Sequence, residues 1–384
     1  MPVNRIMIIA GEASGDMHGA KLVQSIKKID PRSFLFGVGG RAMQAEGVQI
    51  LVDANILSVV GITEVFSKLP IIYRSMSTVK KALRQLKPNL LILIDFPDFN
   101  MHLAAFAKKH AIAVLYYISP QIWAWRQGRV KKIRRLVDHM AVILPFEETF
   151  YRQHGVPVTF VGHPLMDHHH APQARRECTT QEKAVTIGLL PGSRDSEIEK
   201  LLPRMLSAAK LIGQRVNVRF LLSQAPSVSP SLMNRLTKEW GFAGEIVNGK
   251  TDTLLKQATL VIVASGTTTL EAAIHQTPMI IVYRVSPLSY QLGRALIKVP
   301  HIGLVNLIAG KRVAPELIQH DASPGQIARQ ALGLLADPEK LNQMKDGLAE
   351  VTRRLGKPGA SDAVAEIAWG LLGRTDPYPR VTCE

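Results

Sequence analysis

Disulfide chemistry, membrane-spanning runs and clustered metal ligands are what this chain has least of. Cys178 and Cys383 are its only cysteines in 384 residues. That is too few for a disulfide framework, so a reducing, cytoplasmic setting is the expectation. No apolar run reaches the roughly 18 residues that a membrane-spanning helix needs. The opening stretch Arg5 to Ala10 gives way to Gly11-Glu12, too soon for a secretory segment and right for a first buried strand. Gly11, Gly15 and Gly19 lack the G-x-G-x-x-G spacing, which speaks against a dinucleotide fingerprint. The run His168-His169-His170 has no Cys/His cluster to accompany it. It reads as solvated linker, and no metal is expected. Acidic residues are outnumbered, 31 against 47 Lys and Arg, which leaves a formal charge of +16. Such a balance favours an acidic partner: nucleic acid, an anionic membrane surface or phosphorylated substrates.

With 46% apolar residues the chain has enough to bury a real core. Apolar runs read as strands at Arg5 to Ala10, Phe34 to Val38, Leu90 to Ile94, Ala111 to Tyr117, His139 to Leu144 and Pro157 to Val161. Helix-like segments separate them. One such segment is expected at His18 to Lys28, after a loop from Gly11 to Met17. Another carries Met76, Val79, Leu83 and Leu86 at helical spacing. The alternation breaks at Asp167 to Thr180 and restarts with strands at Ala184 to Leu190, Val218 to Leu222, Glu245 to Val247, Thr259 to Val263 and Pro278 to Val282. Ser323, Asp337 and Ser361 each read as the start of a late helix. The expected fold is therefore α/β, with two Rossmann-like domains on parallel sheets and a C-terminal helical segment. The expected boundaries are 1–166, a linker at 167–182, a second domain at 183–345 and a helical tail at 346–384. A cleft between the domains is the expected place for a substrate.

Open α/β sheets place their chemistry at the carboxyl ends of strands, and the unusual residues fall there. In the second half, Ser265-Gly266-Thr267-Thr268-Thr269-Leu270-Glu271 follows an apolar strand and opens a helix. That layout suits a phosphate at a helix N-terminus, with Glu271 placed for a ribose. Gly192-Ser193-Arg194 has the same setting and adds a guanidinium for bidentate phosphate contact. Two such loops point to a diphosphate. In the first half, Asp98 lies in a loop between Phe96, Pro97 and Phe99. Apolar neighbours there would raise its pKa and suit it as a general base. Glu12 and Asp16 are rivals, with Ser14 beside them on the same side. Asp95 reads more simply as a structural carboxylate.

Arg126 to Arg135 carries six basic residues in ten, next to Trp123 and Trp125. Single-stranded nucleic acid, an anionic bilayer, or one core aromatic beside a solvated basic face all account for this. The apolar stretch Ile56 to Tyr73 favours the membrane over nucleic acid. The membrane-contact candidates are Ile56, Leu57, Val59, Val60, Phe66, Leu69, Trp123, Trp125, Arg126 and Arg129.

Six motifs then occur in one order: Ala10-Gly11-Glu12-Ala13-Ser14-Gly15-Asp16, Asp95-Phe96-Pro97-Asp98-Phe99-Asn100, Ser119-Pro120-Gln121-Ile122-Trp123-Ala124-Trp125-Arg126, Val161-Gly162-His163-Pro164-Leu165, Leu190-Pro191-Gly192-Ser193-Arg194 and Ser265 to Glu271. On these the chain resembles the lipid-A-disaccharide synthase family throughout its length. The resemblance implies a GT-B glycosyltransferase, inverting and metal-independent, at the cytoplasmic face of the inner membrane of a Gram-negative bacterium. It implies transfer from UDP-2,3-diacylglucosamine to 2,3-diacylglucosamine 1-phosphate (lipid X), giving a β-1,6-linked disaccharide 1-phosphate and UDP. No cofactor is implied, since the UDP-linked donor is a substrate. By resemblance Asp98 is the leading base, and Arg194 with Ser265, Gly266, Thr267, Thr268, Thr269 and Glu271 holds UDP. Asn306 matches a family Asn near the nucleotide, and Glu316 a nearby acid. A homodimer exchanging C-terminal segments is also implied, with Ser361 to Gly373 as the candidate element. Thr268 and Thr269 stand where the family often has small apolar residues.

Overall fold

A computed structural model describes residues 3–57, 62–167, 185–286, 290, 291, 293 and 299–374, the side chains of 62–69 and 374 excepted. The chain divides into two compact units. One is Met1–His168 with Leu355–Glu384, the other His169–Arg354.

The first unit is built on seven parallel strands: β1 (Arg5–Ala10), β2 (Phe34–Gly39), β3 (Gln49–Asp53), β4 (Leu90–Ile94), β5 (Ala113–Tyr117), β6 (His139–Val142) and β7 (Val158–Phe160). Their order is β3-β2-β1-β4-β5-β6-β7. Both faces are covered, which is why β1 and β4 read as unbroken apolar runs rather than alternating ones. Along β1, Met7 and Ile9 pack with Leu83, Leu103 and Ala104 from helices Ile62–Leu86 and Pro97–Lys109. Ile6 and Ile8 pack on the opposite face with Leu22 and Ile26 of helix Ala13–Ile29. The last helix, Ala360–Arg374, returns to that same face and buries Val364, Ala365, Ala368, Leu371 and Leu372. Each Val or Leu so buried contributes about 1.5–3 kcal/mol, enough to hold the return. The strand order reverses between β1 and β4.

Six parallel strands form the second unit: β8 (Val185–Leu190), β9 (Val218–Gln224), β10 (Glu245–Asn248), β11 (Leu260–Ala264), β12 (Met279–Tyr283) and β13 (Glu316–Ile318). Their order is β10-β9-β8-β11-β12-β13, so the reversal lies between β8 and β11.

Several expectations are corrected. The first helix begins at Ala13 rather than His18, because Glu12 is the last extended residue and Asp16 already lies in the first turn, where the helix dipole favours an acid. Helix Ile62–Leu86 runs through Pro70. Strands β3 and β13 were not expected. Both are edge strands, β13 of only three residues, too short for a pattern to show. The tail does not separate at residue 346, since Pro338–Arg354 is one helix of the second unit and the return starts at Leu355. Nor does Ser361 start the final helix. Asp167 Oδ1 accepts the N–H groups of Gly359 (2.6 Å) and Ala360 (3.4 Å) instead.

Candidate active site

Both strand-order reversals coincide with the unusual loops. In the first unit the turns after β1 and β4 carry Glu12 to Asp16 and Asp95 to Asn100. In the second, the turns after β8 and β11 carry Gly192 to Arg194 and Ser265 to Glu271. A crevice opens at such a reversal because neighbouring connections leave toward opposite faces. The motifs thus converge by topology within each unit, although they lie far apart in sequence.

At the end of β4, Asp95 and Phe96 are both left-handed, with φ of 45° and 48°. Such residues each cost about 1–3 kcal/mol and need a surrounding structure that holds them. The Asp95 carbonyl accepts the Tyr116 hydroxyl at 2.6 Å and Asn100 Nδ2 at 2.7 Å. Gly11 makes room opposite, for a Cβ there would lie 2.4 Å from the Phe96 ring. The result fixes two carboxyls in different surroundings. Asp95 is half-buried, and burial, then the Glu12 charge, push it up to about 6. Asp98 is the exposed one, its side chain 75% accessible, with Oδ1 bonded to Arg129 Nη1 at 2.8 Å. This corrects the expected apolar surround of Asp98. The helix starting at Pro97 turns that side chain outward, and the desolvated carboxyl is Asp95.

Glu12 and Ser14 are exposed at the start of the first helix. Asp16 is not available as a base. Its buried carboxylate accepts the N–H groups of Gly40 (2.7 Å), Ala42 (2.9 Å) and Met43 (3.1 Å) and so caps the short helix after β2.

On the second unit, Gly192 has φ +120°, and a Cβ there would meet Glu197 at 2.4 Å. Glu197 accepts the Ser193 N–H at 3.2 Å and Arg194 Nη1 at 3.4 Å, so it shapes the loop while Arg194 stays 64% exposed. Glu197 was missed in the sequence; an acid three residues after an exposed Arg at a helix start was its signal. After β11, helix Thr268–Ile274 leads off with Thr267 exposed and Gly266 and Thr268 partly so. At the helix start the Thr269 and Leu270 N–H groups already donate to the Gly266 and Thr267 carbonyls at 3.1 Å and 2.8 Å. Ser265 Oγ donates to the Ile302 carbonyl at 3.2 Å. Thr269 is corrected: it is fully buried and donates to the Gly266 carbonyl at 2.7 Å, bracing the turn from inside. Glu271 is raised by burial, then by Asp252.

Asn306 is also corrected from a nucleotide contact to a brace. Fully buried, it donates Nδ2 to the Ala314 carbonyl and to Glu316 Oε1, both at 2.8 Å. Its Oδ1 accepts the N–H groups of Val313 (2.7 Å) and Ala314 (2.9 Å), which uses its whole bonding capacity. Glu316 accepts Ile302 N–H and Gly303 N–H at 3.0 Å each. The chain of bonds from Asn306 through Glu316 to residue 302 therefore ends under Ser265.

The membrane-contact candidates separate. Leu57 is fully buried. Trp123 is buried too, its Nε1 donating to Glu147 Oε1 at 2.9 Å; burial pushes that carboxyl up to about 7. Neither faces a membrane, because each fills the first unit's core. Ile56 (47%) and Trp125 (43%) are exposed, and the Arg126 guanidinium stacks 3.9 Å from the Trp125 ring centroid. Arg129 is engaged with Asp98. Val59 and Val60, and the side chains of Phe66 and Leu69, lie outside the described residues. A groove of about 500 Å3 runs along the helix after them, lined by Tyr73, Met76, Ser77, Lys80, Lys81 and Arg84. No carboxylate lines it to serve as a general base, so the strand ends remain the candidate site. Among the described residues no group of three His, Cys, Asp or Glu could hold a metal ion.

Comparison with known proteins bears on kinship and fold. A family model described as lipid-A-disaccharide synthetase matches residues 6–367. The lipid-A-disaccharide synthase of Syntrophus aciditrophicus (strain SB) is 47% identical over 377 residues, covering 97% of this chain and 98% of that one. That of Nitrosococcus oceani is 44% identical over 372 residues, covering 96% of each. Among solved structures, the UDP-GlcNAc 2-epimerase from Neisseria meningitidis bound to UDP-GlcNAc superposes with a TM-score of 0.64 at 12% identity, covering 95% of this chain and 100% of that one. The calicheamicin glycosyltransferase gives 0.60 at 13%, covering 98% and 100%. Likeness at that identity shows the fold alone, a GT-B-like pair of α/β units. The match over nearly the whole length is what decides kinship: the chain belongs to the lipid-A-disaccharide synthetase family, whose work is a glycosyl transfer in lipid A biosynthesis.

Proposed function

We propose that the protein joins UDP-2,3-diacylglucosamine to lipid X with inversion at C1, giving the β-1,6-linked disaccharide 1-phosphate and UDP. The observation that carries this is the placement of a carboxylate loop at the first unit's switch point and two phosphate-type loops at the second's, in a chain of this family. The acceptor 6′-hydroxyl oxygen forms the new bond to C1, Asp98 takes its proton, and the C1–O bond to UDP breaks with both electrons leaving on the β-phosphate. Arg194, the Thr267 and Thr268 hydroxyls and the Thr268 N–H at the start of helix Thr268–Ile274 stabilise the charge that grows there. No metal enters this scheme, because the guanidinium and the helix start meet the leaving charge. Glu12 is the alternative base, given its exposure and its effect on Asp95.

We place the enzyme at the inner membrane as a peripheral protein. Support comes from exposed Ile56, Met17 (59%), Tyr73 (78%) and the Trp125–Arg126 stack, with Lys80, Lys81 and Arg84 for anionic headgroups. No described helix is long and apolar enough to cross a bilayer. A homodimer through the C-terminal helix belongs to the same proposal. Here that helix packs on helix Ala13–Ile29, and exchange would give a partner the same seat. Purified protein in nonionic micelles with both substrates, followed by chromatography of the lipid products, tests the reaction. Disaccharide formed only when lipid X is present supports it; UDP-GlcNAc epimerisation without transfer contradicts it.

A further inference from the structure

The Asp98–Arg129 pair sets the leading base against a guanidinium that has work left to do. Arg129 comes from the turn after Trp125-Arg126, and its N–H donates to the Arg126 carbonyl at 2.9 Å. Two guanidiniums thus occupy adjoining turns, the first ordered by its stack on Trp125. Arg129 holds Asp98 through Nη1 alone, at 2.8 Å, which leaves the rest of its donor fork unspent on that carboxylate. Both side chains are accessible, 37% and 75%, and exposed pairs contribute little to stability. A phosphate monoester brings more negative charge than a carboxylate and three acceptor oxygens, and matches the fork in a bidentate way. Exchange of Asp98 for such a phosphate is therefore favourable. Asp98 lies in the first turn of helix Pro97–Lys109, so it keeps its place when released.

We propose that Arg129 reads the phosphate of the acceptor, and that its pair with Asp98 masks the base until that phosphate takes the guanidinium. Productive proton removal then waits for the acceptor that carries the phosphate, so a sugar lacking it is turned over slowly even when it binds. The inference rests on the reading of Asp98 as base.

The test compares phosphorylated and dephosphorylated acceptor in nonionic micelles free of phospholipid, for the unaltered protein and for Arg129→Gln, Arg129→Lys and Asp98→Ala. The unaltered protein is expected to favour the phosphorylated acceptor in kcat/KM by roughly 10- to 100-fold, the worth of a charge-assisted contact. Arg129→Gln is expected to collapse that preference, chiefly through KM, and to raise kcat on the dephosphorylated acceptor because the base is no longer masked. Arg129→Lys restores part of the preference. Equal loss on both acceptors in Arg129→Gln marks a structural role and overturns the proposal, as does an intact preference. A preference that appears only when anionic phospholipid is added to the micelles assigns Arg129 to a lipid headgroup and overturns it too. Near-normal turnover by Asp98→Ala removes the base reading itself, and the masking with it. That outcome is read separately from the phosphate preference of Arg129→Gln.

Discussion

Replacing Asn306 by Ala separates a brace from a ligand contact. The side chain is fully buried and serves four partners. Its loss orphans the Ala314 N–H and carbonyl, while the Val313 N–H keeps the Lys311 carbonyl and Glu316 keeps its bonds to Ile302 and Gly303. An unsatisfied buried polar group costs about 1–3 kcal/mol. Taking the low end for the two backbone groups, because water can enter the vacated space, gives about 2 kcal/mol. For a unit of this size that corresponds to a fall in Tm of roughly 4–8 °C. Ser265 is tied to residue 302, so UDP affinity should fall as well, as a consequence of the loosened loop. Scanning calorimetry of the whole protein with and without UDP reads both effects. Unchanged Tm with weakened UDP binding would refute the reasoning and return Asn306 to direct contact with the nucleotide.

Other perturbations probe the two half-sites. Burial, then the Glu12 charge, push the Asp95 carboxyl up to about 6 from an ordinary 3.8. Folding favours its protonated form, so stability falls as pH rises through that window and stays lower above it, by up to about 3 kcal/mol. Asp95→Asn should therefore raise Tm at pH 8 and make little difference near pH 4; a pH-independent effect would count against the assignment. Asp16→Ala removes three N–H contacts from a buried carboxylate, and should destabilise the protein by about 2–3 kcal/mol in urea titrations. A silent Asp16→Ala in stability, together with lost turnover, would restore Asp16 as a base. Arg194→Ala should weaken UDP binding roughly 10- to 100-fold by calorimetry, and unchanged affinity would remove it from the site.

Much of this was legible in the sequence because buried parallel strands announce themselves. The runs Leu90 to Ile94 and Leu260 to Val263 are apolar without interruption, and turn residues at their carboxyl ends mark the candidate site. What was hidden depended on where side chains turn. Asp95 and Asp98 share one loop, yet only the left-handed backbone at Asp95 and Phe96 decides that the first is desolvated and the second exposed. Trp123 and Trp125 lie two residues apart in one short helical turn, and Glu147, distant in sequence, draws one of them inward. Asn306 was assigned to the nucleotide by resemblance, and its bracing role was hidden because its side-chain partners are the backbone groups of Val313 and Ala314 and one acid at the start of the short strand β13, which no periodicity announces. The return of the last helix to the first unit depends on apolar matching with Ala13–Ile29, a contact between the two ends of the chain.

The central claim is a division of labour, with acceptor chemistry on the first unit and leaving-group binding on the second. Measuring turnover and UDP affinity side by side for Asp98→Ala tests it most directly. The account predicts that turnover falls at least about a hundredfold, the usual worth of a general base, with the Kd for UDP unchanged. Turnover that persists, or UDP affinity that falls along with it, would contradict the account.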